Sequence, residues 1–134
     1  MALTVVDSSV LIPAVAPWHA DHRRVDGALG EVSDLAMIAH VLLETYSWLT
    51  RNRPRTPPHV ALRLLNQLPG PPLTLSALGH VRLLGLAGTR GVIGGATYDA
   101  LIAATALEAD ARLLSRDERA ARTYDAVGVR FELI

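Results

Sequence analysis

Cysteine and lysine are both absent from this chain of 134 residues. Without cysteine there is no disulfide, no thiolate zinc site and no cysteine nucleophile. Without lysine there is no Walker-type phosphate lysine, no Schiff base and no pyridoxal-phosphate chemistry. The same lack argues against a phospho-acceptor receiver domain, which matches this chain in size and acid placement but uses a lysine. An excess of one charge is missing too, because 13 arginines balance 13 acids. A non-specific nucleic-acid binder shows a basic excess, so any nucleic-acid footprint here is local. No apolar run approaches the ~20 residues of a membrane helix. The start, Met1-Ala2-Leu3-Thr4, has no basic region, apolar stretch and cleavage site in the order of a signal peptide. The expected location is the cytoplasm.

Half of the residues are hydrophobic, enough for one folded domain, 1–134, with a real core. Short apolar runs at Leu3–Val6, Asp34–Ile38, Leu73–Leu75, Arg112–Ser115 and Val129–Leu133 read as strands. Helical segments alternate with them: Ser8 and Ser9 capping a helix that Pro13 disturbs, then His19–Leu29, His40–Thr50, Pro57–Leu68, Ser76–Leu86, Thr97–Ala109 and Asp117–Ala126. The stretch Gly88–Gly95 reads as a break rather than a phosphate cradle, since it lacks the dinucleotide spacing. Strands alternating with helices predict a parallel sheet covered on both faces.

Four acids stand out in this pattern. Asp7 ends the run Leu3-Thr4-Val5-Val6, and Asp117 closely follows Leu113-Leu114. Ligands of open α/β sheets bind beyond the carboxyl ends of strands, and both acids lie there. Each also has a plain reading. Asp7 suits a helix N-cap, and Asp117 a first-turn acid in the capping box Ser115…Glu118. Glu44 lies on a helical seam between Val41 and Trp48 on one side and His40 and Ser47 on the other, as a boundary glutamate would. Asp99 shares a helix face with Ile102, Ala103 and Ala106, and Glu108 lies opposite. It therefore points inward, which favours a functional role. Two carboxylates at 4 Å repel by ~4 kcal/mol at an effective dielectric of about 20. A chain that gathers four needs a cation among them, and Mg²⁺ takes oxygen ligands.

The remaining polar groups are less pointed. His19, Asp21, His22 and Asp26 raise a second metal site, against which a solvated helix is the plainer reading, and His40, His59 and His80 have no evident partners. Arg51-Asn52-Arg53-Pro54-Arg55 is either a solvated loop or a phosphate-gripping lip beside Glu44. There is no Gly-x-Ser-x-Gly elbow for a serine hydrolase.

Order and context make the acids more specific. Val5-Val6-Asp7-Ser8-Ser9-Val10-Leu11-Ile12 resembles the opening of PIN-domain nucleases, especially VapC-type toxins of bacterial toxin–antitoxin pairs. Leu42-Leu43-Glu44-Thr45-Tyr46 resembles their second motif, and Tyr98-Asp99-Ala100-Leu101-Ile102-Ala103-Ala104-Thr105-Ala106 the third, the most specific of the set. Leu113-Leu114-Ser115-Arg116-Asp117 is similar to the last. The resemblance implies a three-layer α/β/α fold around a mostly parallel five-stranded sheet, and endoribonuclease activity dependent on Mg²⁺ or Mn²⁺. It places Asp7, Glu44, Asp99 and Asp117 in a catalytic metal site, with Asp7 and Asp99 as direct ligands. Ser9 and Ser115 take supporting roles. It also implies a homodimer and a cognate VapB-like antitoxin. Arg51, Arg53 and Arg116 are the candidates for holding the RNA backbone, and Tyr46, Trp48 and Trp18 either stack on bases or pack. A metal phosphohydrolase acting on DNA or a small ester, and a non-catalytic α/β interaction module, are the competing expectations.

Overall fold

The computed structural model describes residues 3–134. Strand β1 (Thr4–Val6) leads into α1 (Ser8–Val15), followed by α2 (His22–Gly30), α3 (Ala39–Arg51), α4 (Pro58–Asn66), α5 (Ala77–Arg90) and α6 (Ala96–Glu108). The chain closes with β2 (Arg112–Ser115), α7 (Ala121–Val127) and β3 (Phe131–Leu133). The three strands lie side by side in the order β1-β2-β3, all parallel, with Val5 opposite Leu113 and Leu114 opposite Glu132. Val5 and Val6 are neighbours and so face opposite sides of the sheet. Both are fully buried, as are Leu113 and Leu114, so both faces are covered. The helices α1 and α6 each pack on β2.

The expected five-stranded sheet is three strands and two remnants. Leu35 bridges Thr4, and Ile38 bridges Leu73, both in parallel. Thr4 N–H donates to the Asp34 carbonyl, and Leu73 N–H to that of Met37. These contacts extend the sheet past β1 without forming a ladder. The reason is local: α3 begins at Ala39, directly after Ile38, and Pro71-Pro72 before Leu73 have no N–H to donate.

Other boundaries shift for similar reasons. Asp7, not Ser8 or Ser9, caps α1 by accepting from Ser9 N–H, and Pro13 lies inside that helix without ending it. The glycine-rich break begins only at Gly91. α5 runs through Gly88 to Arg90 because Leu83 and Ala87 bury its inner face. Gly91 then takes φ +68° and Gly94 φ +58°, the left-handed conformations that turn the chain into α6. The helix expected from Asp117 starts at Ala121. Ser115 stays in β2 and Asp117 forms a turn, accepting from Arg119 N–H at 3.0 Å, so the capping box does not form.

α6 carries the tightest packing. Ala100, Ile102, Ala103, Thr105 and Ala106 are buried, and the alanines let the helix approach the sheet closely. On its far side Glu108 accepts from Ser76 N–H at 3.0 Å and from Ser76 Oγ at 2.8 Å, tying α6 to the start of α5. Most buried hydrophobic residues form one cluster, and a small satellite of Ala16, Leu49 and Ala61 sits under Tyr46 and Trp48. Those two aromatics therefore pack inward, while Trp18 is exposed.

Candidate active site

The carboxyl ends of β1 and β2 stand side by side, so Asp7 and Asp117 follow neighbouring strands. Asp7 N–H donates to the Leu114 carbonyl at 3.2 Å, which carries the sheet pairing right up to the first acid. Asp7 is buried and densely hydrogen-bonded. Its Oδ1 accepts from Ser9 N–H at 3.0 Å and from Ser9 Oγ at 2.5 Å, and its Oδ2 from the Tyr124 hydroxyl at 2.6 Å.

Ser9 and Ser115 link this acid to β2. Ser9 Oγ accepts from Arg116 N–H at 2.7 Å, and the two serine hydroxyls are 3.4 Å apart. Ser115 Oγ accepts from Asp117 N–H at 3.0 Å. Both serines thus sit where supporting residues were expected. The link also explains how α1 tolerates its proline. Pro13 has no N–H for the Ser9 carbonyl one turn earlier, and Arg116 Nη1 approaches that carbonyl at 3.5 Å instead.

Glu44 and Asp99 arrive from helices. The residues Val41, Thr45 and Leu49 bury one face of α3, and Glu44 sits half-buried at the edge of that face. Its Oε1 is buried with no hydrogen-bond partner. Burial, then the charges of Asp99 and Asp7, push its carboxyl up to about 7. Asp99, in the first turn of α6, is pushed up to about 6 by burial, then by Asp117 and Asp7. These influences couple all four acids, which therefore form one electrostatic cluster. Tyr124, which donates to Asp7, keeps its proton. Burial first and the Asp7 charge second raise its hydroxyl above the ordinary phenol range.

His40 was expected to lack partners. It stacks on Tyr98, with ring centroids 5.4 Å apart and planes 5° apart, and its Nε2 stands 3.8 Å from Glu44 Oε2. That distance is too long for a hydrogen bond, and burial holds the imidazole below its ordinary pKa, so His40 does not neutralise Glu44.

The arginines divide. Arg51 and Arg53 are exposed. Arg51 follows Glu44 by seven residues on α3, which places it on the same helix face roughly 10 Å away. Arg116 is different. Its guanidinium pairs with Asp21 at 2.5 Å, its side chain is only 19% exposed, and it holds the Asp21 carboxyl below the usual range. It ties β2 to α2 and is not free to meet RNA. Asp21 is thereby removed from the His19/His22 cluster, whose His22 Nδ1 lies 2.8 Å from the Pro13 carbonyl.

Among the described residues no group of three or more His, Cys, Asp or Glu side chains is poised to hold one metal ion. The donor set nevertheless suits a hard divalent ion. It is all carboxylate, it repels itself, and it includes a buried oxygen that nothing satisfies. An ion that keeps several waters does not need three protein ligands. Sequence reasoning missed Tyr124. The one available signal was the spacing Ala120, Tyr124, Val127, a buried helix stripe on which a phenol hydroxyl needs a partner.

Comparison with known proteins agrees with this fold. The family model for the PIN domain matches residues 4–126. The chain is 40% identical over 134 residues to ribonuclease VapC40 of Mycobacterium tuberculosis, covering 96% of each protein. It is 40% identical over 126 residues to ribonuclease VapC27 of the same organism, covering 92% of this chain and 91% of that one. Among solved structures, VapBC2 from Rickettsia felis bound to a promoter DNA fragment aligns with TM-score 0.69 and 17% identity over 98% of both chains. FitAcB from Neisseria gonorrhoeae aligns with TM-score 0.71 and 19% identity over 96% of both.

Proposed function

The chain belongs to the PIN-domain family, and from that premise we propose that it is the ribonuclease toxin of a toxin–antitoxin pair. It forms a single domain over residues 1–134 and hydrolyses RNA phosphodiester bonds in the cytoplasm with Mg²⁺ or Mn²⁺. The observation that carries this reading is the coupling of Glu44 and Asp99 to Asp7 and Asp117, which brings together acids from four separate stretches of chain. The identity to two named ribonucleases supports RNA as the substrate.

Asp7 and Asp99 would hold the ion, and Glu44 and Asp117 would complete the site directly or through water. Bound there, a divalent ion polarises a phosphate and lowers the pKa of water enough to supply hydroxide near neutral pH. Ser9 and Ser115 keep the strand-end acids in place. Arg51 and Arg53 position the RNA backbone, since phosphate contacts fix register without reading bases. Arg116 is assigned to holding the site together.

A protein partner is supported by exposed apolar side chains. Leu43, Leu78, Val81, Leu84, Ile93 and Tyr98 are all more than half exposed. A second copy of the chain and a VapB-like antitoxin are the proposed covers.

The test uses purified protein and its Asp99→Asn variant on RNA, single-stranded DNA and a generic phosphodiester, with Mg²⁺ and with chelator. RNA cleavage is expected from the unaltered protein alone. The variant should lose at least about 100-fold, beyond the 10–100-fold typical of groups that only orient metal ligands. Undiminished cleavage by Asp99→Asn sinks the proposal, and equal cutting of DNA moves the substrate class.

A further inference from the structure

The hydrogen bonds around Asp7 nearly exhaust its carboxylate. An ionised carboxyl offers about four lone-pair sites. Ser9 takes two at Oδ1 through its N–H and its hydroxyl, and Tyr124 takes one at Oδ2. One site remains, on the oxygen that Tyr124 already holds. An ion held by Asp7 would find only that oxygen open to it, beside the tyrosine hydroxyl.

Nothing about this tyrosine is loose. Its side chain is fully buried. The ring meets Phe131, the only phenylalanine in the chain, edge-on, with centroids 5.5 Å apart and planes at 68°. At 2.6 Å the hydroxyl contact has the length of a charge-assisted bond to a carboxylate. A phenylalanine or leucine would fill the same core space, so packing alone does not account for the hydroxyl. The contact spans 117 positions of sequence, and makes α7 and β3 set the orientation of the first acid after β1.

We propose that Tyr124 is a positioning residue for metal binding: its hydroxyl fixes Asp7 so that only the free lone pair of Oδ2 is presented to the ion. The inference rests on the metal-dependent reading of the site. Hydrogen-bond partners of metal ligands typically govern affinity by 10–100-fold, and that is the scale expected here.

The experiment compares the full-length protein with Tyr124→Phe and Phe131→Leu. Mn²⁺ binding is followed by electron paramagnetic resonance, and RNA cleavage is titrated with Mg²⁺. Tyr124→Phe should bind Mn²⁺ about 10–100-fold more weakly. Its half-saturating Mg²⁺ should rise in step, and the rate at saturating Mg²⁺ should return to nearly that of the unaltered protein. Phe131→Leu keeps the hydroxyl while loosening the ring, so it should melt earlier yet bind Mn²⁺ as before. Equal Mn²⁺ affinity in Tyr124→Phe and the unaltered protein overturns the inference and leaves the metal site standing. An equal loss of affinity in Phe131→Leu overturns it too, because general loosening would then explain both. If the unaltered protein binds no Mn²⁺, the metal reading falls and this inference falls with it.

Discussion

The two halves of the acid cluster are built in opposite ways. On the strand side, Asp7 is buried but accepts three hydrogen bonds, and Ser9, Ser115 and the turn at Asp117 continue the network into β2. On the helix side, Glu44 keeps a buried oxygen unpaired, and both Glu44 and Asp99 are pushed toward their protonated forms. The strand side is hydrogen-bonded within the protein, with Arg116 Nε as its one buried donor left without a partner among the described residues. The helix side is held in place by the packing of α3 and α6 against its own electrostatic preference. Preorganisation and stored repulsion thus sit on two different walls of the acid cluster.

Removing a group from each wall should therefore change stability in opposite directions. The largest effect is expected on the strand side. Ser9→Ala removes a donor from buried Asp7 and leaves the Arg116 N–H without its acceptor. Unpaired buried polar groups cost about 1–3 kcal/mol each, so a loss of roughly 2–3 kcal/mol in denaturant unfolding is expected. A loss within about 0.5 kcal/mol, the range of ordinary surface substitutions, would mean the network is decorative.

The helix side should show itself through pH. Glu44 rises from 4.5 to about 7 and Asp99 from 3.8 to about 6 on folding. Between those values the folded state binds more protons than the unfolded one, so their contribution to stability falls as pH rises. Metal-free protein should unfold at lower urea at pH 8 than at pH 5. Millimolar Mg²⁺ should narrow the difference, and so should Glu44→Gln, which should be more stable than the unaltered chain at pH 8. Asp21, held low by Arg116, works the other way, losing its contribution only as the solution becomes more acid than its ordinary range. Equal urea midpoints for Glu44→Gln and the unaltered chain at pH 8 would remove the stored repulsion and the contrast between the walls with it.

What could be read in advance follows the same division. The strand ends were legible because a short apolar run followed by an acid has few other uses, and the inward face of α6 because alanine spacing reports close packing. The five-strand sheet was overread. Apolar residues at Asp34–Ile38 and Leu73–Leu75 mark sheet edges, but the start of α3 and a proline pair cut them to two isolated bridges. The contacts that finish the site were hidden because they join residues distant in sequence. Tyr124 reaches Asp7 across 117 positions, and Arg116 reaches Asp21 across 95. No local pattern announces either partner. Arg116 looked like an RNA contact because a guanidinium beside an acid motif reads that way until its partner is known. His40 looked idle because Tyr98, the ring it stacks on, belongs to another helix.

The smallest effect concerns Pro13, which seemed bound to disturb α1. A proline in a helix interior costs about 3 kcal/mol or more, partly through the carbonyl it leaves without a donor. Here that carbonyl belongs to Ser9, and Arg116 Nη1 lies 3.5 Å from it. In Pro13→Ala the alanine N–H would compete for the same acceptor, so the helix gains little, while the more flexible unfolded chain loses about 0.4–1 kcal/mol of the proline's advantage. The net change in unfolding free energy should stay within about 1 kcal/mol of zero. A gain approaching 3 kcal/mol would show that α1 is strained at the proline and that Arg116 does not serve the strand wall through Ser9. The hydrogen bonds from Ser9 to Asp7 would then have to hold the first acid without that brace.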